Sequence, residues 1–218
     1  RHARRRARTT MNLFPALRAF VLAALLLPAG AQAFVVDIDW GSEAIYLRVG
    51  DGSFVGQYAY GGIPLADGTI SKVSVTVPLA DVGNGVSRPM TANSRVTSDW
   101  DNFAFCNTGQ LYIGGFYRRN NNGNQSATLT YDAPANLVNS SGDTIPISQI
   151  SWTSSGNGDG GATQPVPGRT FAPGVHTLAT NFLRNTWRES CLSFRYANGT
   201  VVPAGTYTAR VTFTLAAP

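Results

Sequence analysis

The run Gly205-Thr206-Tyr207-Thr208-Ala209-Arg210-Val211-Thr212-Phe213-Thr214-Leu215 carries the most regular periodicity in the chain. Tyr207, Ala209, Val211, Phe213 and Leu215 fall on one side, and Thr206, Thr208, Arg210, Thr212 and Thr214 on the other. Successive side chains of an extended backbone point to opposite faces, so a period of two held this long predicts a strand with one buried and one wet face. Pro203-Ala204-Gly205 is the turn signal that opens it. A strand this regular needs a sheet to receive it, and earlier residues must build that sheet, which points to an all-β chain.

Residues 34–40 show the same pattern, with Phe34, Val36, Ile38 and Trp40 on one side and Val35, Asp37 and Asp39 on the other. Residues 44–49 and 54–60 flank Gly50-Asp51-Gly52 and read as a hairpin. Residues 69–77 place Val73, Val75 and Val77 on one face before Pro78. Residues 110–117 and 126–131 read as a second hairpin around the polar Arg118–Asn124 loop. Residues 145–152 form a further strand, with Pro146 at an edge or bulge. Residues 175–182 and 191–196 complete the set, separated by long connections at 79–102 and 154–173. The second of these is rich in Gly and Pro, and its length is unusual unless it serves a function. About nine or ten short strands, with no credible helix after residue 33, predict an immunoglobulin-like antiparallel β-sandwich in a single domain, 34–218. A closed barrel is the alternative, since strand count does not separate two facing sheets from one rolled sheet.

The first 33 residues read differently. Residues 1–10 hold five arginines and precede Met11, and they read as an upstream extension without structure. Residues 11–33 follow the secretory pattern: Arg18, an apolar stretch at 20–27, then Ala31-Gln32-Ala33 as a cleavage site. The apolar stretch is well short of the roughly 20 residues a membrane span requires, and Pro28-Ala29-Gly30 ends it. The expectation is export to the periplasm, cell surface or medium, with no membrane insertion once the signal is removed. Six of the 17 basic residues and none of the 12 acidic ones lie in this segment, which leaves eleven basic against twelve acidic. The basic excess that would favour nucleic acid through phosphate neutralisation leaves with the signal. Cys106 and Cys191 both lie in the exported part, where a disulfide is favoured over free thiols or a metal site.

Chemistry is sparse. Triad catalysis needs a histidine beside a nucleophile, and beyond residue 33 the single histidine is His176, which reads as an outward strand position. Glycoside hydrolysis needs two carboxylates across a cleft, and nothing brings Glu43 and Glu189, the only glutamates, together. Asp37 with Asp39 and Asp99 with Asp101 each flank a tryptophan, but no calcium-loop spacing accompanies them, so they read as solvated carboxylates. The expectation is no enzyme, no cofactor and no metal. Trp40 and Trp152 read as core; Trp100, between two aspartates in irregular chain, is the candidate for exposure. Asn139-Ser140-Ser141 and Asn198-Gly199-Thr200 match the N-glycosylation pattern. A binding module for glycan or protein would use Trp100, Arg118, Arg119 and Asp159, the last three from the two long polar loops.

The order of signal, alternating N-terminal strand and all-β body with two cysteines, closed by Val202-Pro203-Ala204-Gly205-Thr206-Tyr207 and the Thr-alternating strand, resembles bacterial fimbrial subunits, including the spore-coat-U-like group. The resemblance implies a fold short of one strand. A periplasmic chaperone lends that strand during export, and another copy of the subunit supplies it in the fibre. Carried onto this sequence, Phe34, Val36, Ile38 and Trp40 are the donor residues, and Tyr207, Val211, Phe213 and Leu215 line the acceptor edge. The expected function is an exported surface structural protein assembling by strand addition. The alternative is a self-contained sandwich in which residues 34–40 pair within their own chain.

Overall fold

A computed structural model of the chain describes residues 36–39, 41–51, 54–56, 62–64, 70–120 and 124–218. The expected extension (1–10), the expected signal (11–33), and Phe34 and Trp40 lie outside the described residues.

In chain order the strands are β1 (Val36–Asp37), β2 (Ala44–Val49), β3 (Phe54–Gly56), β4 (Gly62–Pro64), β5 (Val73–Ser74), β6 (Arg88–Pro89), β7 (Thr91–Ala92), β8 (Leu111–Arg118) and β9 (Ser126–Ala133). They continue as β10 (Asn136–Val138), β11 (Thr144–Pro146), β12 (Ile150–Ser155), β13 (Arg169–Thr170), β14 (Gly174–Leu183), β15 (Thr186–Tyr196) and β16 (Thr212–Ala216). Among the described residues the only helix is a pair of short 3-10 pieces, Leu79–Asp81 and Ile147–Gln149. The protein is all-β, its sheets are antiparallel, and Cys106 and Cys191 form a disulfide. Nine of the strands are only two or three residues long, which is why they outnumber the nine or ten expected.

The organising strand is β15. One edge pairs with β8 and β6, the other with β1 and β12; β2 lies outside β8, and β13 outside β12. A second sheet runs β14-β9-β16. Leu111, Ile113 and Tyr117 of β8, Trp152 of β12, and Leu192 and Phe194 of β15 meet Leu129 and Tyr131 of β9, Leu178 and Phe182 of β14, and Leu215 of β16 in one core. Each such fully buried side chain contributes about 1.5 to 3 kcal/mol. The 154–173 connection closes over this core rather than lying loose: Val166 is fully buried, and the Trp152 indole donates to the Pro167 carbonyl at 3.0 Å.

Both expected hairpins are corrected. β8 is buried on both faces from Leu111 to Tyr117, and its two edges are taken by β2 and β15, so it is a central strand. β9 belongs to the other sheet, between β14 and β16. Likewise β2 pairs with β8, while β3 pairs with β4. Turn-forming residues mark where the chain reverses but not which strand it meets afterwards. The 145–152 strand is broken at Pro146, where the ladder β10-β11 ends and a 3-10 turn leads into β12. The C-terminal strand is shorter than its periodicity. Its ladder covers Thr212–Ala216, with Val211 and Phe213 half-buried and Leu215 buried, whereas Ala209 is exposed. Upstream, Thr208 exchanges both backbone hydrogen bonds with Val138 (2.9 and 3.0 Å), so one alternating run serves two different neighbours.

Candidate functional site

The face of the large sheet turned away from the core carries the densest chemistry. Ala44 and Tyr46 of β2, Tyr112 and Phe116 of β8, and Trp187 and Cys191 of β15 share it, with Phe105 and Cys106 of the preceding loop packed on top. Register explains the grouping. Tyr46, Phe116 and Trp187 stand opposite one another across three strands, and Arg48, Gly114 and Glu189 form the next row. Gly114 is needed for its lack of a side chain: a Cβ there would sit 2.3 Å from the Tyr112 hydroxyl oxygen. The Tyr112 ring leans across that gap, so its hydroxyl donates to Glu189 Oε2 at 2.7 Å and accepts the Asp99 backbone N–H at 3.0 Å.

Glu189 Oε2 also accepts from the Ser98 hydroxyl (2.8 Å) and the Trp187 indole N–H (2.9 Å). Asp99 accepts from Arg48 Nε at 3.0 Å, and from the Tyr46 hydroxyl and an Arg95 guanidinium N–H. Arg95 in turn lies over the Tyr112 ring, 5.8 Å from its centroid. Burial raises the Glu189 pKa above the ordinary carboxylate range, against the pull of its three donors. Burial is also the main reason the Tyr112 and Tyr46 phenols are pushed up, so both remain protonated donors. The donors and acceptors satisfy one another, and their joint effect is to clamp the segment around Ser98–Cys106 onto the sheet. The disulfide, with 5.5 Å between the Cα atoms, stitches the end of that segment to the middle of β15.

The residues singled out from the sequence scatter. Trp100 is 45% exposed, at the tip of the clamped segment. Arg118 donates to the Ser42 carbonyl (3.1 Å), and Arg119 to Gln125 Oε1 (3.0 Å), with Glu43 3.9 Å away. Asp159 is buried and accepts from the Gln164 amide at 2.6 Å, so it does not face an incoming ligand. The solvated reading of Asp99 is corrected: its side chain is 8% exposed and ion-paired to Arg48. Asp101 is exposed as expected, as are Asp37 and Asp39. Asn139 and Asn198 are both buried, and their amides are engaged, by Asp143 Oδ2 and by the Asp81 carbonyl respectively, so neither is open to a glycan. His176 contacts the Pro173 carbonyl at 2.9 Å. Among the described residues no group of His, Cys, Asp and Glu gathers as metal ligands.

Val36 and Ile38 pack against the outer cluster. Val36 pairs with Trp187 and Asp37 with Thr186, and the Ile38 N–H donates to the Asn185 carbonyl at 2.7 Å. Of the proposed acceptor residues, Val211, Phe213 and Leu215 turn toward the core, while Tyr207 precedes the ladder and donates its hydroxyl to the Pro203 carbonyl at 2.8 Å. Sequence reasoning missed Tyr46, Arg48, Arg95 and Tyr112, which come from three separate stretches of the chain that no shared motif links. The one local clue was the Gly114-Gly115 doublet inside an apolar strand, a sign of close approach by another group. Neither protein-family models nor curated proteins give a match to this chain.

Proposed function

We propose that this is an exported structural protein, a fimbrial or pilus-like subunit of immunoglobulin-like strand order that joins further copies of itself by strand addition at β16. The observation that carries the reading is the state of that strand. It stands at the end of its sheet with no ladder partner on its outer edge among the described residues, and Phe213 within it and Val211 just before it are only half-buried. An edge of unpaired N–H and C=O groups, flanked by apolar side chains that are not fully covered, is what an added strand satisfies. The N-terminal segment rests on β15, a different strand, so within its own chain it does not occupy the outer edge of β16. A chaperone strand would occupy the same place during export.

A second reading has its own support. The pairing of β1 with β15 buries part of the N-terminal segment at home, as a self-contained sandwich requires. The two separate when the protein is exported with its own first 33 residues and the extract is run in detergent without heating. Strand addition predicts a ladder of oligomers that collapses on boiling. A Val211→Asp/Phe213→Asp variant, verified as folded by circular dichroism, gives monomer only. A wild-type protein that stays monomeric at every concentration overturns the proposal.

A further inference from the structure

We propose that the Trp100–Phe103 tip is a carbohydrate site, with Trp100 as the stacking platform for a neutral pyranose ring. The inference is independent of how the chain assembles. Trp152 and Trp187 are 3% and 5% exposed, whereas Trp100 is 45% exposed and Phe103, three residues on, 52%. Large aromatic side chains supply most of their stabilisation when buried, so two held open on one short loop call for an occupant. The Trp100 indole lies against Trp187, with ring centroids 5.9 Å apart and the planes tilted by 34°, and Trp187 is itself pinned through its indole N–H to Glu189. The solvent side of Trp100 is thereby presented as a fixed surface.

The loop is built to hold that pose. The Trp100 N–H donates to the Ser98 hydroxyl (3.1 Å), the Ser98 N–H to the Phe103 carbonyl (2.8 Å) and the Phe103 N–H to Asp101 Oδ1 (2.9 Å). Asn102 takes the left-handed conformation (φ 64°) that closes the turn, one that asparagine tolerates better than most residues. Below the tip, Asp99 and Ser98 are tied to the sheet, and Cys106 is tied covalently. Little conformational freedom remains to be lost when a ligand binds, and weak stacking contacts then yield measurable affinity.

The composition of the tip selects the ligand class. Between the two rings stand Asp101 and Asn102, both exposed; Asp101 Oδ2 and the Asn102 side-chain amide make no hydrogen bond among the described residues. A protein-docking hot spot would place its aromatics in a contiguous apolar patch with polar groups at the rim. An exposed aromatic ring followed in the same tight turn by an exposed carboxylate and amide instead matches a sugar, which offers axial C–H bonds to the ring and equatorial hydroxyls to the polar pair. The exposed carboxylate disfavours an anionic sugar, and Arg48 and Arg95, which lie under the same loop, are ion-paired to Asp99. Beside Phe103 lies the glycine-rich 156–161 turn, tied to the same loop by the Asn157 amide donating to the Ala104 carbonyl at 3.1 Å.

The test uses the full exported chain and three neutral probes, cellohexaose, mannohexaose and a galactohexaose, followed by saturation-transfer NMR and tryptophan fluorescence. At least one probe is expected to give sugar-ring saturation and a fluorescence change. Trp100→Ala should weaken that binding by about tenfold or more, Trp100→Phe should restore part of it, and Leu79→Ala, an exposed apolar control, should leave it unchanged. No response to any of the three at millimolar concentration overturns the proposal, as does binding that survives Trp100→Ala. Trp100-dependent retention on an octyl matrix without sugar binding also overturns it, in favour of an apolar partner.

Discussion

The two faces of the large sheet are held by different physics. On the core side, Leu192, Ile113 and Phe194 are closed off by a second sheet, and the stabilisation is apolar area spread over many contacts. On the other side, aromatic rings share the surface with Asp99, Glu189, Arg48 and Arg95 under one loop, held by a few directional bonds and a disulfide. Area burial is non-directional and tolerates local loss, whereas a buried carboxylate depends on each donor it keeps. Among the non-covalent contacts, the core face should therefore set global stability, and the outer face should set the order of one loop.

The largest effect tests the covalent stitch. Reduction-proof Cys106→Ala/Cys191→Ala should cost about 4 to 5 kcal/mol in denaturant unfolding by the chain-entropy account of a cross-link spanning 85 residues. A loss under about 1 kcal/mol would mean that the non-covalent clamp alone orders the loop. The comparison between faces sharpens with a pair of variants. Leu192→Ala, on the core side, should cost about 2 to 5 kcal/mol. Tyr112→Phe, on the outer side, should cost about 1 to 3 kcal/mol, because the Glu189 carboxylate and the Asp99 N–H lose a shared partner. Hydrogen exchange separates their character: Tyr112→Phe should speed exchange at the Asp99 amide selectively, and Leu192→Ala should speed it across the sheet. Equal patterns would erase the distinction.

The smallest effect is a pH dependence. Burial raises the Glu189 pKa in the folded state, so folding favours its protonated form. The contribution is then full below the unfolded carboxylate pKa and is lost as pH rises through the higher folded value. Glu189→Gln keeps an acceptor for Ser98, Tyr112 and Trp187 without a charge to bury. Its Tm relative to wild type should accordingly become more favourable as the pH rises above about 4. A Tm difference that is flat with pH, or that falls, contradicts the raised pKa.

Much of the fold was legible before any coordinates. Strand alternation in Val211, Phe213 and Leu215, the core position of Trp152, the exposure of Trp100 and the Cys106–Cys191 pairing all follow from side-chain period, side-chain size and there being just two cysteines. Trp187-Arg188-Glu189-Ser190, by contrast, shows no apolar alternation, yet it forms the first half of the longest strand. The reason is that its outer face lies under the Ser98–Cys106 loop, whose Ser98 hydroxyl bonds Glu189, so Glu189 is half-buried where periodicity would read solvent.

By itself, then, the chain determined that its residues would be extended, which side chains would turn inward and which two cysteines were available to meet. Pairing was left to the tertiary structure: that β8 lies between β2 and β15 rather than beside β9, and that residues as distant as Tyr46, Asp99, Tyr112 and Glu189 share one site. Alternation is a local property of one backbone and fixes orientation. The choice of neighbour depends on how two sheets close over a common interior, and no window of sequence contains that information.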